Sequence, residues 1–324
     1  MATSLTSTGV RFSDNSVQLS PALTGFRNRI INGDMRISQR GSSFANILST
    51  YCIDRWLYSS VHTAVVNITQ STDVPAGSGL SNSLRATVAT ADTNIATGDY
   101  SIIGQPIEGY HVADLVGVPI TISFWVRSSK TGIHCFRLRN LGGDKSYVTE
   151  YTISAINTWE KKSITLPNGL ITSGTWNFTN NIGLYAQWAL AVGSTFQISV
   201  ASTTNAWLDA NYFGTANQVN CLDTVGNIFA ITGVQLEKSS VATDFEFRPV
   251  NVEYELCQRY YQTYITVVET SANFSTFAYS VPMRVAPTIA GGGAGFAINF
   301  STTQSYNAYQ TTRAGQTLTF SAEL

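Results

Sequence analysis

From about residue 30 to 248 the apolar positions recur every second residue in short runs, broken by Gly, Asn, Ser, Thr and Pro. Runs of this kind bury one face and solvate the other, and they predict strands near 83–89, 120–127, 135–140, 163–166, 182–190, 228–236 and 244–248. In ITISFWVRS, Ile120, Ile122, Phe124 and Val126 share one face, while Thr121, Ser123, Trp125 and Arg127 share the other and leave Trp125 half covered. Trp56 and Trp188 lie in strand-like runs and read as packing residues. Towards the end of the region, Ile231, Gly233 and Gln235 fall on one face and Ala230, Thr232, Val234 and Leu236 on the other. A turn flanked by Glu237 and Lys238, read as a solvated ion pair, leads to Phe245 and Phe247 on a common face before Pro249. The expectation is a closing hairpin within an all-β fold, an antiparallel jelly-roll or β-sandwich.

The period changes at 250–263, where Val252, Leu256, Arg259 and Tyr260 recur at three- and four-residue spacing behind Pro249, predicting one short linking helix. Its apolar stripe is too narrow to hold so short a helix alone, so tertiary or intersubunit packing has to support it. Two-residue alternation returns near 265–269, 276–281, 296–300 and 316–322, with GGGAG at 291–295 as a turn. This is a small C-terminal β domain of marginal size that has to lean on its neighbours. The first residues carry isolated apolar positions (Leu5, Val10, Phe12, Val17, Leu19), the pattern of an extended arm that orders on a partner. The expected organisation is therefore an arm at 1–27, a sandwich at 28–249, the helix at 250–263 and the small domain at 264–324.

Charged residues make up 12% of the 324 positions, against roughly 25% in an ordinary soluble domain. Ser, Thr, Asn and Gln must build the surface, or much of it is hidden in an assembly. A net charge of -1 gives no basic footprint for nucleic acid and no polybasic membrane anchor. No run approaches the roughly 18 to 20 apolar residues of a membrane span, and MATSLTSTGVRFSDNSVQLS lacks the pattern of a secretory leader, so synthesis in the cytosol is expected. Cys52, Cys135, Cys221 and Cys257 are far apart without metal spacing and read as free thiols in apolar surroundings. GGGAG lacks the Lys-Ser/Thr of a phosphate loop; no metal or cofactor is expected.

Catalysis has few candidates. His62, His111 and His134 are scattered, and no nucleophile elbow or metalloprotease helix is present. Glycan hydrolysis needs only two converging carboxylates, for which Asp92, Asp99 and Glu108, or Asp209 and Asp223, are available. Next to Gly, Asn and Thr, however, such residues fit turn caps better. Binding is the better-supported chemistry, because sugar rings stack on flat aromatics and hydrogen-bond to amides and carboxylates. Trp207, Asp209, Asn211 and Tyr212 in NAWLDANYFG form one candidate glycan site, and Trp176 with Asn177 in SGTWNFTNN a second. The competing reading is that these aromatics belong to the core or an interface.

NRIINGDMRISQRG (28–41), YCIDRWLYS, QPIEGYHVADLVGVPITISFWVRSSKTG (105–132), INTWEKKSITLP, ITGVQLEKSSVATDFEFRP (231–249) and ELCQRYYQ (255–262) together resemble a family of bacteriophage tail fibre proteins. The resemblance implies a virion structural protein, not an enzyme. It would carry a jelly-roll similar to carbohydrate-binding modules and then a small β domain, and would form a homotrimer that attaches to a host surface polysaccharide or protein. It implies that the arm, through Val10, Phe12, Val17 and Leu19, anchors the chain to other virion proteins, and that Val252, Leu256 and Tyr260 meet around the trimer axis. Two other functions stay open, a glycan-cleaving depolymerase tailspike and a purely structural virion or capsid fibre without a receptor role.

Overall fold

Phe124 and Trp188 meet ring to ring with 5.2 Å between centroids, and they mark the plane where two antiparallel sheets face each other. This computed structural model describes residues 26–198, 205–267, 275–291, 296–310 and 315–324, together with three short strands ahead of them. One sheet of the sandwich has six strands, in the order Glu160–Leu166, Ile120–Ser128, Ile228–Glu237, Ser83–Thr90, Val65–Ser71, Ser43–Phe44. The other has seven, in the order Trp207–Leu208, Ser146–Ile153, Gly132–Arg139, Ile182–Val192, Tyr100–Glu108, Leu57–Val61, Thr50–Tyr51. The all-β antiparallel sandwich expected from the alternation is the observed architecture.

The core between the sheets takes Ile122, Phe124, Leu84, Val66 and Phe229 from the first, and Ile103, Phe136, Leu138, Leu184 and Trp188 from the second. Trp56 and Trp188 are both fully buried there, in the packing role expected of them, although Trp56 sits just ahead of the Leu57–Val61 strand and not within one. Burial of each such side chain contributes about 1.5–3 kcal/mol.

Facing in the Ile228–Glu237 strand differs from simple alternation. Phe229, Ile231, Val234 and Leu236 all point into the core, although Ile231 and Val234 have opposite parity. The cause is Gly233, whose φ of 58° places it in the left-handed region. The pairing with Ile120–Ser128 shifts register between Ser123 and Trp125, so one extra residue is absorbed and the phase reverses. Half-buried Trp125 covers the bulge from outside.

The closing hairpin does not form, because residues 244–248 are extended without entering a ladder. Near its end the Ile228–Glu237 strand is flanked on one side by Ile120–Ser128. On the other side the incoming chain bonds it through Arg29 N to Leu236 O and Val234 N to Gly33 O. No edge remains to pair with. The segment instead lies over the outer face, where Gln235 Oε1 accepts from Glu246 N at 2.8 Å and Glu237 accepts from Thr243 N at 2.9 Å. Glu237 is therefore not a solvated partner of Lys238. It is fully buried and held by Arg27, Thr243 and Gln235, while Lys238 faces Asp114 at 3.8 Å.

The helix spans Val250–Gln258, and a strand begins at Tyr261, so the linker is shorter than 250–263. Its buried face is Glu253, Cys257 and Gln258, followed by Tyr260. Beyond it lie two three-stranded sheets, Tyr261–Val267, Gly315–Ser321, Thr288–Gly291 and Ser275–Ala278, Ser305–Gln310, Phe296–Ser301, each in that order. Thr288–Gly291 and Ser305–Gln310 are additions to the expected strands, and residues 292–295 of the glycine run lie outside the described residues. Tyr279, Met283, Tyr306, Leu318 and Phe320 form the core of this unit. Ser4–Thr6, Gly9–Arg11 and Val17–Gln18 form a three-stranded antiparallel sheet instead of a single extended arm. Val10 and Val17 sit on its strands; Phe12 and Leu19 lie outside the described residues.

Candidate functional site

The Trp207–Leu208 strand adds to the edge of the seven-stranded sheet, with Tyr147 opposite Trp207 and Ser146 opposite Leu208. Successive residues point to opposite faces, and here the alternation divides the residues that sequence had joined. Trp207 turns inward to Tyr147 at 5.7 Å and Trp176 at 5.3 Å, while Trp176 stacks on Phe178 at 6.0 Å with 6° between planes. Leu208 and Tyr212 belong to the second cluster on the outer face, with Phe196, Phe213 and Tyr100. Trp207 and Tyr212 are therefore not one platform, but Trp207 and Trp176 are.

Both indoles are half-buried, and their N–H groups are occupied. Trp207 Nε1 donates to Gly169 O at 2.8 Å and Trp176 Nε1 to Ser173 O at 2.7 Å. The exposed ring surface is what remains for a ligand. Asn177 is consumed locally, its Oδ1 accepting from Thr179 N at 2.9 Å, Thr179 Oγ1 at 3.1 Å and Asn181 N at 3.2 Å. Asp209 projects into solvent, 84% exposed, and pairs with Lys145. Asp144 accepts from Asn140 Nδ2 and from Thr175 N and Oγ1, which holds its carboxyl below the usual range and ties the two rim loops together.

On the outer face of the same sheet stand two residues that the sequence reading passed over, Arg137 and Arg139. The cue was present in FRLR (136–139), where two basic residues two apart on a strand must share a face. Arg137 is 2% exposed and lies over the Phe213 ring, 3.6 Å from its centroid; Arg139 lies over Tyr185 at 4.3 Å.

The carboxylates considered for hydrolysis are dispersed among separate partners. Asp92 accepts from Thr63 N and Oγ1, Asp99 from Ala96 N, and Glu108 from Arg259 and Tyr260, while Asp223 pairs with Lys130. His134 is buried against Cys221, with Nδ1 3.8 Å from Sγ. Burial pushes the imidazole down to about 4 and the thiol up to about 12, so both are neutral near pH 7. All four cysteines are free and buried.

Of the residues expected at a trimer seam, Tyr260 is unavailable, since it is fully buried within the chain with its Oη donating to Glu108 Oε2 at 2.7 Å. Val252 and Leu256 are half-buried beside exposed Val250 and Tyr254. Leu256 lines a cavity of about 420 Å³ together with Phe26, Arg29, Asp114 and Lys238. Among the described residues no group of three His, Cys, Asp or Glu could hold a metal ion, and no helix is long and apolar enough to cross a membrane.

No protein-family model matches this chain, and no curated protein matches it. Among solved structures, it is similar to the enzymatically active domain of tailspike protein 4 of bacteriophage CBA120, at 18% identity over 65% of this chain with a TM-score of 0.37. The chain spans 21% of that structure's length. It is also similar to the family 11 carbohydrate-binding module of Clostridium thermocellum, in complex with a β-1,3-1,4-mixed-linked tetrasaccharide, at 14% identity over 62% of this chain and 98% of the module, with a TM-score of 0.33. A third similar structure, TmCBM61 in complex with β-1,4-galactotriose, has 11% identity over 66% of this chain and 100% of the module, with a TM-score of 0.32.

Proposed function

We propose that this chain is a non-catalytic subunit of a bacteriophage attachment fibre, trimeric in the virion, that holds a glycan of the host surface at the Trp176/Trp207 rim. The observation that carries the glycan reading is the aromatic group itself: two half-buried tryptophans 5.3 Å apart at a sheet edge, their N–H groups already satisfied, with the solvent-facing carboxylate of Asp209 on the same rim segment. An indole face without a free polar handle suits the C–H face of a sugar ring, and the neighbouring carboxylate suits its hydroxyls. The fibre role is supported by the ordered sequence blocks from residue 28 to 262 and by an N-terminal sheet that pairs with no other strand among the described residues.

Purified protein should compete with phage for adsorption to host cells, and Trp176→Ala with Trp207→Ala should abolish that competition while circular dichroism still reports a folded sandwich. Undiminished competition by the double variant would remove the rim from the site. Release of oligosaccharide from host capsule or lipopolysaccharide would overturn the non-catalytic reading. Particles that incorporate a chain lacking residues 1–25 as well as the full chain would show that the arm is not the anchor.

A further inference from the structure

Arg137 and Arg139 are adjacent on the outer face of the Gly132–Arg139 strand, opposite Gln187 and Tyr185 of Ile182–Val192. Every hydrogen bond of Arg137 goes to a neutral oxygen: Nε to Gln187 Oε1 at 2.8 Å, Nη1 to Asn211 Oδ1 at 2.9 Å and to Tyr212 O at 3.1 Å. Neither guanidinium has a carboxylate partner among the described residues, and Arg139 Nε is buried without a hydrogen bond. Isolated buried charge is costly, and a like charge beside it raises the cost. Burial first, then Arg139, push the Arg137 guanidinium well below its usual range. The two nearby rim carboxylates are engaged elsewhere, Asp144 with Asn140 and Thr175, and Asp209 with Lys145. The approach to Arg139 is bounded by Gly143, where φ is 70° and a Cβ would stand 3.3 Å from Arg139 Nη1 and 3.8 Å from Asn211 Cγ. A glycine at this position keeps that space clear.

Resting on the glycan reading above, we propose that the glycan is acidic and that its carboxylate is received by the half-buried Arg139, with the buried Arg137 behind it and Asn211 and Tyr185 beside it. The planar fork of a guanidinium matches a carboxylate in two parallel hydrogen bonds, and the ligand's charge compensates a pair that the fold leaves uncompensated. Stacking on Phe213 and Tyr185 fixes the two forks before the ligand arrives, which lowers the ordering cost of binding.

The test is calorimetric titration of the full chain with polygalacturonate, alginate and hyaluronan, and with the same three polymers after reduction of their carboxyl groups to alcohols. At least one acidic polymer should bind about tenfold or more tightly than its reduced form, consistent with loss of a charge-assisted hydrogen bond. Arg139→Gln, chosen because Arg139 is only half-buried, should lose that preference with the sandwich still folded by circular dichroism; Arg139→Lys should restore part of it. Equal affinity for acidic and reduced forms, binding of reduced forms only, or an unchanged preference in Arg139→Gln would overturn the inference while the glycan reading stands. Failure of all six polymers to bind while the free protein still competes for host adsorption would overturn the inference alone; failure of both would overturn the glycan reading with it.

Discussion

Arg55 and Glu323 form a buried ion pair across 268 positions of sequence, tying the first part of the sandwich to the second-last residue of the chain. Arg55 also donates to Pro106 O at 2.7 Å and lies over the Tyr260 ring, 3.6 Å from its centroid. Arg40 reaches the other Glu323 oxygen at 2.9 Å, and Tyr51 Oη donates to Leu324 O at 2.7 Å. The small C-terminal unit thus leans on the sandwich through its last two residues. Replacing Glu323 by Gln leaves the fully buried Arg55 without its carboxylate, which costs about 3–5 kcal/mol. The expected result is a lower urea midpoint, with proteolysis of the C-terminal sheets beginning before that of the sandwich. A midpoint equal to that of the natural chain would show the clasp to be idle.

His134 makes stability depend on acidity. The fully buried imidazole donates from Nε2 to Lys130 O at 3.1 Å, and burial lowers its pKa to about 4. In the unfolded chain it takes a proton near 6.5. This contribution is fully present above that value and is lost as pH falls from 6.5 to 4, up to about 3 kcal/mol. His134→Gln retains a donor for Lys130 O and removes the titration. Urea midpoints measured from pH 7 to 4 should fall less steeply for the variant; parallel profiles would exclude His134 as the group responsible.

Gly233 should resist substitution. An alanine there must adopt a φ of 58° with its Cβ 3.0 Å from Leu80 Cδ1 and 3.2 Å from Trp125 Cδ1. Left-handed backbone alone costs a side-chain-bearing residue about 1–2 kcal/mol. Gly233→Ala should therefore destabilise by about that amount or more in equilibrium unfolding, with the denaturant slope unchanged. A neutral substitution would mean that the bulge can relax.

Assembly can be separated from folding at Leu256. This residue lines the same cavity as Arg29 and Lys238, so an aspartate in its place has cations of its own chain nearby. Leu256→Asp should leave the melting of the sandwich within a few degrees of the natural value. If the proposed trimer closes through this helix, sedimentation should show a shift towards monomer, because an apolar seam does not accept a carboxylate. A trimer unchanged by the substitution would place the seam away from this helix, and a natural chain that sediments as a monomer would overturn the proposed trimer.

Strand positions were legible because burying one face of a strand is a local property. The runs expected at 120–127, 182–190 and 228–236 appear as Ile120–Ser128, Ile182–Val192 and Ile228–Glu237. The change of period at Pro249 likewise announced the helix Val250–Gln258. Local pattern did not show that Gly233 reverses the phase of its own strand, since the extra residue is defined by the register of the partner strand. It placed 244–248 in a ladder for the same reason: alternation reveals a face but not whether an edge is free.

The sequence by itself determined the sandwich class, the position of many strands and the start of the helix, and it singled out Trp176 and Trp207 as candidates. Only the tertiary structure decided which side chains meet. Trp176 joins Trp207 while Tyr212 goes to the other face, Glu237 is enclosed by Arg27 and Thr243, and Arg137 and Arg139 stand side by side without a carboxylate partner among the described residues. Each of these depends on segments far apart in sequence brought together by sheet order and register. A periodic pattern is set by one segment and its solvent, whereas a site is set by several segments at once.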